Sequence, residues 1–498
     1  MTMRKPALRQ QLDVSWNSVF GDFSRDGQPL NIQIRRMIVH AVETGTLPAN
    51  MRLPPSRNLA TTLRIGRNTV TSAYQQLIDE GILVSRERTG IFVADIAPRP
   101  ESEARSGGED KTWADRFVVQ PSKMRQHSKP RDWQSYPYPF LFGQYDPELF
   151  PTNNWREAVR ATSSVQEIQG WAGDMIDDDD PDLIEQLRVQ VLPRRGIFAA
   201  QGEVIITVGS QQALSMLVSL LVGPDTPAAV ENPGYPDMRN MVALATRNLR
   251  FLTSDQHGVV PDNAFADAKV AFMTPGHHCP TTIVTPIERR RAILEAAETE
   301  NVLIVEDDYD ADLSIQEDGN LPSLKSLDRT GRVLYVGSFS KVVAPGLRIG
   351  YIVAPKPVIS ELRVLRRIML RHPPTNNQRT LATFIALGHY RQHLNKAGAA
   401  MLERSALMEE LLPKYLPFCS ATRGRGATSL WVKGPSSMDA GRLVELARRK
   451  GVLVEPGDIF FSDPAAGRNF FRLGFSSIPA HRIEAGLIRL AEAIRECN

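Results

Sequence analysis

Six short apolar runs recur through the middle of the chain, at residues 204–208, 228–230, 270–273, 302–305, 333–336 and 352–354, with helical text between them. Runs this short and without alternation fit strands buried on both faces. Strand alternating with helix predicts an α/β domain around a mainly parallel sheet. From about residue 369 the pattern turns helical, over 381–394 and on to 412. Strand-like 429–432, 452–454 and 469–475 follow. That change predicts a smaller α+β lobe, so the body spans 138–498 with its small lobe from about 369.

The first 95 residues read differently. Ile34, Ile38, Ala41 and Val42 space an amphipathic helix over 29–44. Ser56 is placed as the N-cap of a second helix running to about Leu63. A turn at Arg64-Ile65-Gly66 precedes a third helix over 67–80, with Val70, Ala73, Tyr74 and Leu77 on one face. Alternating residues 82–85 and 91–94 then flank a turn as two strands. Helix, helix, turn, helix, hairpin is a winged helix-turn-helix. With its apolar stripe inward, the third helix turns Arg67, Asn68, Thr69 and Thr71 outward near its N-terminus, where a recognition helix meets base edges. Arg57, Arg86 and Arg88 would lie near phosphates. The alternative is a protein-interaction module with solvated arginines.

Residues 96–137, rich in Pro, Gly, Ser and both charge signs without periodicity, read as a flexible linker. At 498 residues the chain is too long for one core. Net charge is +3; residues 1–95 carry +4 and the remainder about −1, which suits a nucleic-acid-binding N-terminal part. There is no long apolar run for a membrane span and no apolar region for a secretory signal. Cys279, Cys419 and Cys497 are widely spread, without metal-ligand spacing, and are expected as free thiols. A cytoplasmic protein is the expectation.

The stretch VLYVGSFSKVVAPGLRIG, residues 333–350, runs from a buried strand into a small-residue turn. It holds Lys341 among Ser338, Ser340 and Arg348. An amine there can form a Schiff base with a carbonyl cofactor, and hydroxyls with a guanidinium suit a phosphate. The alternative is an ordinary βα loop with a surface lysine. Other strand ends carry Glu306-Asp307-Asp308-Tyr309-Asp310, Gly209-Ser210-Gln211 and Asn232-Pro233-Gly234-Tyr235. A carboxylate could hold a pyridine nitrogen protonated, and a helix opening could take a phosphate. A metal site or a helix-terminal cluster remains the alternative for the acidic run, and core packing for Tyr235. Arg472, alone in the apolar strand 469–475, needs an anionic partner, from a ligand or from within the protein.

Residues 47–95 resemble the GntR family of transcription regulators. The resemblance implies contacts to double-stranded operator DNA from Ser56, Arg57, Arg67, Asn68, Thr69 and the wing tip at Gly90. Many members are basic where this chain has Thr71. Residues 138–498 resemble fold-type I pyridoxal phosphate (PLP) aminotransferases, through Ser-Phe-Ser-Lys followed by Pro-Gly-Leu-Arg-Ile-Gly and the order of the other segments. The resemblance implies Lys341 as the Schiff-base lysine, Asp307 at the pyridine nitrogen, Tyr309 at the ring hydroxyl and Tyr235 stacking on the ring. It places Ser210, Gln211, Ser338, Ser340 and Arg348 at the phosphate, and Arg472 at a substrate or effector carboxylate. The two parts together look like the MocR/GabR type of regulator. That type implies a head-to-tail homodimer, and an amine or amino-acid effector that changes DNA binding by transaldimination, without physiological turnover. An active aminotransferase with a DNA-binding appendage, and a regulator that senses PLP itself, are the other readings. Two stretches depart from the family text: His277-His278-Cys279-Pro280-Thr281-Thr282, and the acidic run Asp177 to Asp180.

Overall fold

The computed structural model describes residues 16–19, 28–95, 113, 115–310, 321–422, 424 and 426–497. Contacts divide the chain into two compact units, 1–120 and 121–498. Among the described residues no helix is long and apolar enough to cross a membrane.

In the first unit α1 (Leu30–Glu43), α2 (Ser56–Leu63) and α3 (Arg67–Asp79) lead into a hairpin, β1 (Leu83–Arg86) and β2 (Gly90–Val93). The stripes read from spacing are the buried ones: Ile34, Ile38 and Ala41 on α1, and Val70, Ala73, Tyr74 and Leu77 on α3. They share a core with Leu47, Leu53, Leu59, Leu83 and Val93. Tyr74 stays satisfied inside it by donating to Pro54 O at 3.0 Å. Ser56 does not cap α2. Pro55 holds that position and Ser56 is the first helical residue, without a side-chain cap bond.

The body is built on a seven-stranded sheet of β3 (Val204–Thr207), β4 (Ala228–Glu231), β5 (Leu249–Leu252), β6 (Val270–Met273), β7 (Leu303–Asp308), β8 (Val333–Ser338) and β9 (Gly350–Val353). Their order is β3-β9-β8-β7-β6-β4-β5. All neighbours are parallel except at β9, which is antiparallel to both β8 and β3. The short link 339–349 explains this, because a parallel return needs a longer crossover. Sequence pattern missed β5: it is an edge strand and half-exposed, so it lacks an apolar run. Apolar residues of α4 (Gly209–Leu221), among them Leu214, Met216, Leu217 and Val218, cover one sheet face together with α5 (Lys356–Leu370).

The helical stretch breaks at Gly388, in left-handed conformation, into α6 (Thr375–Ala386) and α7 (His389–Tyr415). The small lobe expected from about 369 takes its own core only from Met401 onward, with Phe140 added. Leu381, Phe384, Ile385, Tyr390 and Leu394 pack instead with the large sheet's strands. The lobe's antiparallel sheet runs β10 (Ser420–Thr422), β11 (Ser429–Lys433), β13 (Phe470–Gly474), β12 (Glu455–Pro456). The C-terminal α8 (Ala480–Cys497) lies over it. All three cysteines are free.

Two features noted in the sequence are resolved by pairing. The acidic run is held by arginines of α5 and α6: Asp179 meets Arg366 at 2.5 Å and Arg363 at 3.1 Å, and Asp180 meets Arg379 at 2.8 Å. Asp180 also caps the helix Pro181–Gln186. The linker read over 96–137 does not run to its end as linker. From Pro121 the chain belongs to the body, because Arg125, His127 and Lys129 find partners there. Residues 96–112 and 114 lie outside the described residues.

Arg366 is fully buried, and removing it leaves the buried Asp179 carboxylate with Arg363 as its remaining arginine. Arg366→Met is expected to destabilise the body by about 3–5 kcal/mol. The measurement is a lower urea midpoint at unchanged slope, the winged-helix transition staying in place.

Candidate functional site

A cavity of about 310 Å³ opens at the C-terminal ends of the central strands. All ten residues assigned to cofactor or effector from the sequence line it: Ser210, Gln211, Tyr235, Asp307, Tyr309, Ser338, Ser340, Lys341, Arg348 and Arg472.

The strand geometry sorts the acidic run. Successive side chains of β7 point to opposite faces. Glu306 turns away from the cavity and accepts the N–H groups of Leu324 and Lys325 at 2.9 and 2.8 Å. Asp308 pairs with Arg195 at 2.6 Å and takes the Tyr335 hydroxyl at 2.8 Å. Asp307, between them, faces the cavity, and its Oδ1 is buried without a partner. Burial, aided by the charge of Asp308 and opposed by Lys341, raises its pKa to about 7.

Lys341 follows β8 and extends its Nζ to Gly143 O at 3.4 Å, 5.0 Å from the Phe142 ring centre. Gly143 has φ +75°, which favours glycine, and a Cβ there would stand 2.1 Å from Nζ and displace the amine. Burial first, then the charges of Lys129 and Arg472, lower the Lys341 pKa to about 8. Ser338 Oγ accepts from Ser340 N at 3.2 Å, while Ser340 Oγ is buried without a partner. Arg348, itself at φ +51°, lies over Gly209 at the start of α4, where a Cβ would come within 2.9 Å of its guanidinium. Hydroxyls, a guanidinium and the free N–H groups of a helix start thus meet at one end.

Tyr235 donates to Gln211 at 2.8 Å and Asp237 at 3.1 Å, and Gln211 also donates to Asp237 at 3.0 Å. Tyr309 donates to His277 O at 2.8 Å and meets Phe142 edge-on. Arg472 is buried between the Phe142 and Phe460 rings, 4.3 and 4.7 Å from their centres. Its Nε donates to Glu455 at 2.6 Å, so the internal salt bridge weighed for it exists. Of its five donors, a further one reaches Cys279 Sγ at 3.8 Å.

Sequence reading missed His127, Lys129, Phe142, Thr274, Cys279 and Phe460 on the cavity wall, and Glu455 behind it. The signal was present for two of them: His127 and Lys129, two apart in extended text, point the same way.

In the other unit the residues assigned to DNA lie at the starts of α2 and α3 and on the hairpin. Arg57, Arg67 and Asn68 are exposed, and Ser56, Thr69 and Gly90 are half-buried. Thr71 bonds its hydroxyl back to Arg67 O at 3.0 Å. Arg86 lies over Phe92 at 4.6 Å and reaches Asn50.

An aminotransferase-like body and a winged helix are therefore joined in one chain. Residues 142–490 match the family model for aminotransferase class I and II, and residues 30–93 the one for bacterial regulatory proteins of the gntR family. The chain is 40% identical over 468 residues to the HTH-type transcriptional regulator TauR of Rhodobacter capsulatus, covering 94% of this chain and 96% of that protein. It is 28% identical over 475 residues to the probable rhizopine catabolism regulatory protein MocR of Rhizobium meliloti, covering 93% and 94%. Among solved structures it is similar to kynurenine aminotransferase of Pyrococcus horikoshii, with TM-score 0.69 and 25% identity over 77% of this chain and 98% of that one. LysN of Thermus thermophilus, an alpha-aminoadipate aminotransferase, gives 0.68 and 26% over 77% and 98%. The chain belongs to the GntR-family transcription regulators of MocR type, which carry an aminotransferase-like domain.

An amine with a pKa of about 8 is mostly neutral above that pH and mostly charged below it. Peptide-resolved labelling of the cofactor-free protein with dilute acetic anhydride is expected to reach half its maximum at Lys341 near pH 8. A half-maximum near 10.5, the ordinary lysine value, would show a solvated amine.

Proposed function

We propose that this chain is a PLP-dependent transcription regulator in which an amine or amino-acid effector, taken up at the Lys341 cavity, changes operator binding by the winged helix. The observation that carries the reading is the meeting of the Lys341 amine, an unpartnered buried oxygen of Asp307 and the Arg472 guanidinium in one cavity.

The residues fit the cofactor. A pyridine N–H would satisfy Asp307 Oδ1, and phosphate oxygens would satisfy Ser340 Oγ. Ser210, Gln211, Ser338 and Arg348 complete the phosphate end. When bound, PLP supplies an electrophilic carbon and an electron-withdrawing ring. Lys341 contributes a nucleophile that is neutral in part at physiological pH. Asp307 holds a proton at the ring nitrogen. Tyr309 would hold the ring hydroxyl, and Tyr235, anchored through Gln211 and Asp237, would stack on the ring. The remaining donors of Arg472 take an effector carboxylate. An effector amine would compete with the Lys341 amine for that carbon, and release of Lys341 would shift the populations of two arrangements of the protein. Arg67, Asn68 and Thr69 at the start of α3 address base edges, with Arg57 and Ser56 on the backbone and Gly90 allowing the wing its close approach. A homodimer, arranged head to tail, belongs to this reading, as does a cytoplasmic setting.

The purified protein is expected to show a visible Schiff-base band that borohydride discharges, with the reduced label on Lys341 by mass spectrometry. Lys341→Ala should lose band and label and keep operator binding, but no longer respond to the effector. A response that survives in Lys341→Ala would sink the reading. Arg67→Ala should weaken operator binding by about 1–3 kcal/mol and relax sequence preference, read by gel shift on operator and scrambled DNA.

The completeness of the constellation supports a second reading, a working aminotransferase localised by its winged helix. Sustained amino transfer to a keto acid, at about 1 per second or faster, would favour it over the regulator without turnover.

A further inference from the structure

The segment that leads into the body from the N-terminal side supplies two basic side chains of the cavity. It is anchored upstream of them: Arg125 donates to Phe461 O at 3.1 Å, and Asn240 donates to Arg125 O at 2.8 Å. His127 and Lys129 then both reach Glu455, at 2.9 and 3.0 Å. The second oxygen of Glu455 takes Arg472 Nε at 2.6 Å. One carboxylate therefore gathers three basic side chains of the cavity wall, two from the incoming segment and one from β13. None of the groups used for the cofactor includes His127 or Lys129. Three basic groups against one carboxylate leave donor capacity facing the cavity. An anion entering there meets all three, and competes with Glu455 for them.

We propose that His127, Lys129 and Arg472 form a single anion subsite for the acidic end of the effector, with Glu455 as its built-in counter-anion. The effector is then an amine bearing a carboxylate or sulfonate. Because two of the three basic side chains lie on the segment connected to the DNA-binding unit, occupancy of the subsite is passed directly to that segment. This rests on the reading of the cavity as an effector site. It adds a site of contact and a route that the Lys341 exchange does not contain.

The test uses the full chain loaded with PLP and two probes that have no amine, maleate and ethanesulfonate. Calorimetry reads affinity, and hydrogen–deuterium exchange reads the peptide covering 121–129. At least one probe is expected to bind and to slow exchange over 121–129. Lys129→Gln should weaken that binding about tenfold, the size expected for a charge-assisted bond. Glu455→Gln should strengthen it, since the competing anion is gone. Opposite signs for these two variants are what a merely structural cluster would not produce. Should Glu455→Gln fold poorly, His127→Gln replaces it, with weakened binding expected. Binding of neither probe, equal affinity in wild type and Lys129→Gln, or unchanged exchange over 121–129 at saturation would each overturn the proposal. Absence of a Schiff-base band in the same samples, with anion binding intact, would count against the cofactor reading and leave this one standing.

Discussion

Glu455 is a carboxylate with only 1% of its side chain exposed, and it is the partner on which the cavity's positive charge depends. Ionised groups this deep are tolerated only when paired. Burial by itself would raise its pKa; the charges of Arg472 and Lys129, with the bond from His127, outweigh that and hold it well below the usual carboxylate range. The pair with Arg472 is set by sheet register, since the two residues are direct cross-strand partners on β12 and β13. Phe142 and Phe460 then fix the guanidinium from two sides. Arg472 is thereby held in one orientation, and the incoming segment is fastened to the same point.

The same rule, that buried charge must be matched, explains most of the body's acidic text. Asp177 to Asp180 stand out in the sequence as a departure from the family text. Asp179 and Asp180 instead join the helix Pro181–Gln186 to α5 and α6 through arginines. On β7 the pleat gives Glu306 and Asp308 structural partners on one face and leaves Asp307 Oδ1 unmatched on the other. An unmatched carboxylate facing an amine of lowered pKa is an arrangement that stability alone does not reward. That contrast is what separates the functional acid from its two neighbours.

The winged helix was legible almost entirely. Its elements are local, its stripes repeat at helical spacing, and the expected helix ends agree with the observed ones to within a residue or two. The exception is the cap of α2, where a proline already supplies the extended entry and Ser56 begins the helix. In the body the strand runs were legible because strands buried on both faces are continuously apolar. The edge strand β5 was not, because half-exposed strands mix polar and apolar residues. The site residues could be named from text because most stand at or just past strand ends, in stretches whose residue types match the aminotransferase text.

Order along the chain and residue type therefore determined the two units, the strands that carry the loops and ten residues of the cavity wall. Three things were beyond their reach: the antiparallel turn of β9, the point at which the small lobe's core begins, and the capture of residues 121–129 by the body. The last two depend on pairing between groups far apart in the chain. Lys129 and Glu455 carry no periodicity that links them, and only their approach in space, driven by the need to neutralise a buried charge, makes a polar linker-like stretch into part of a site.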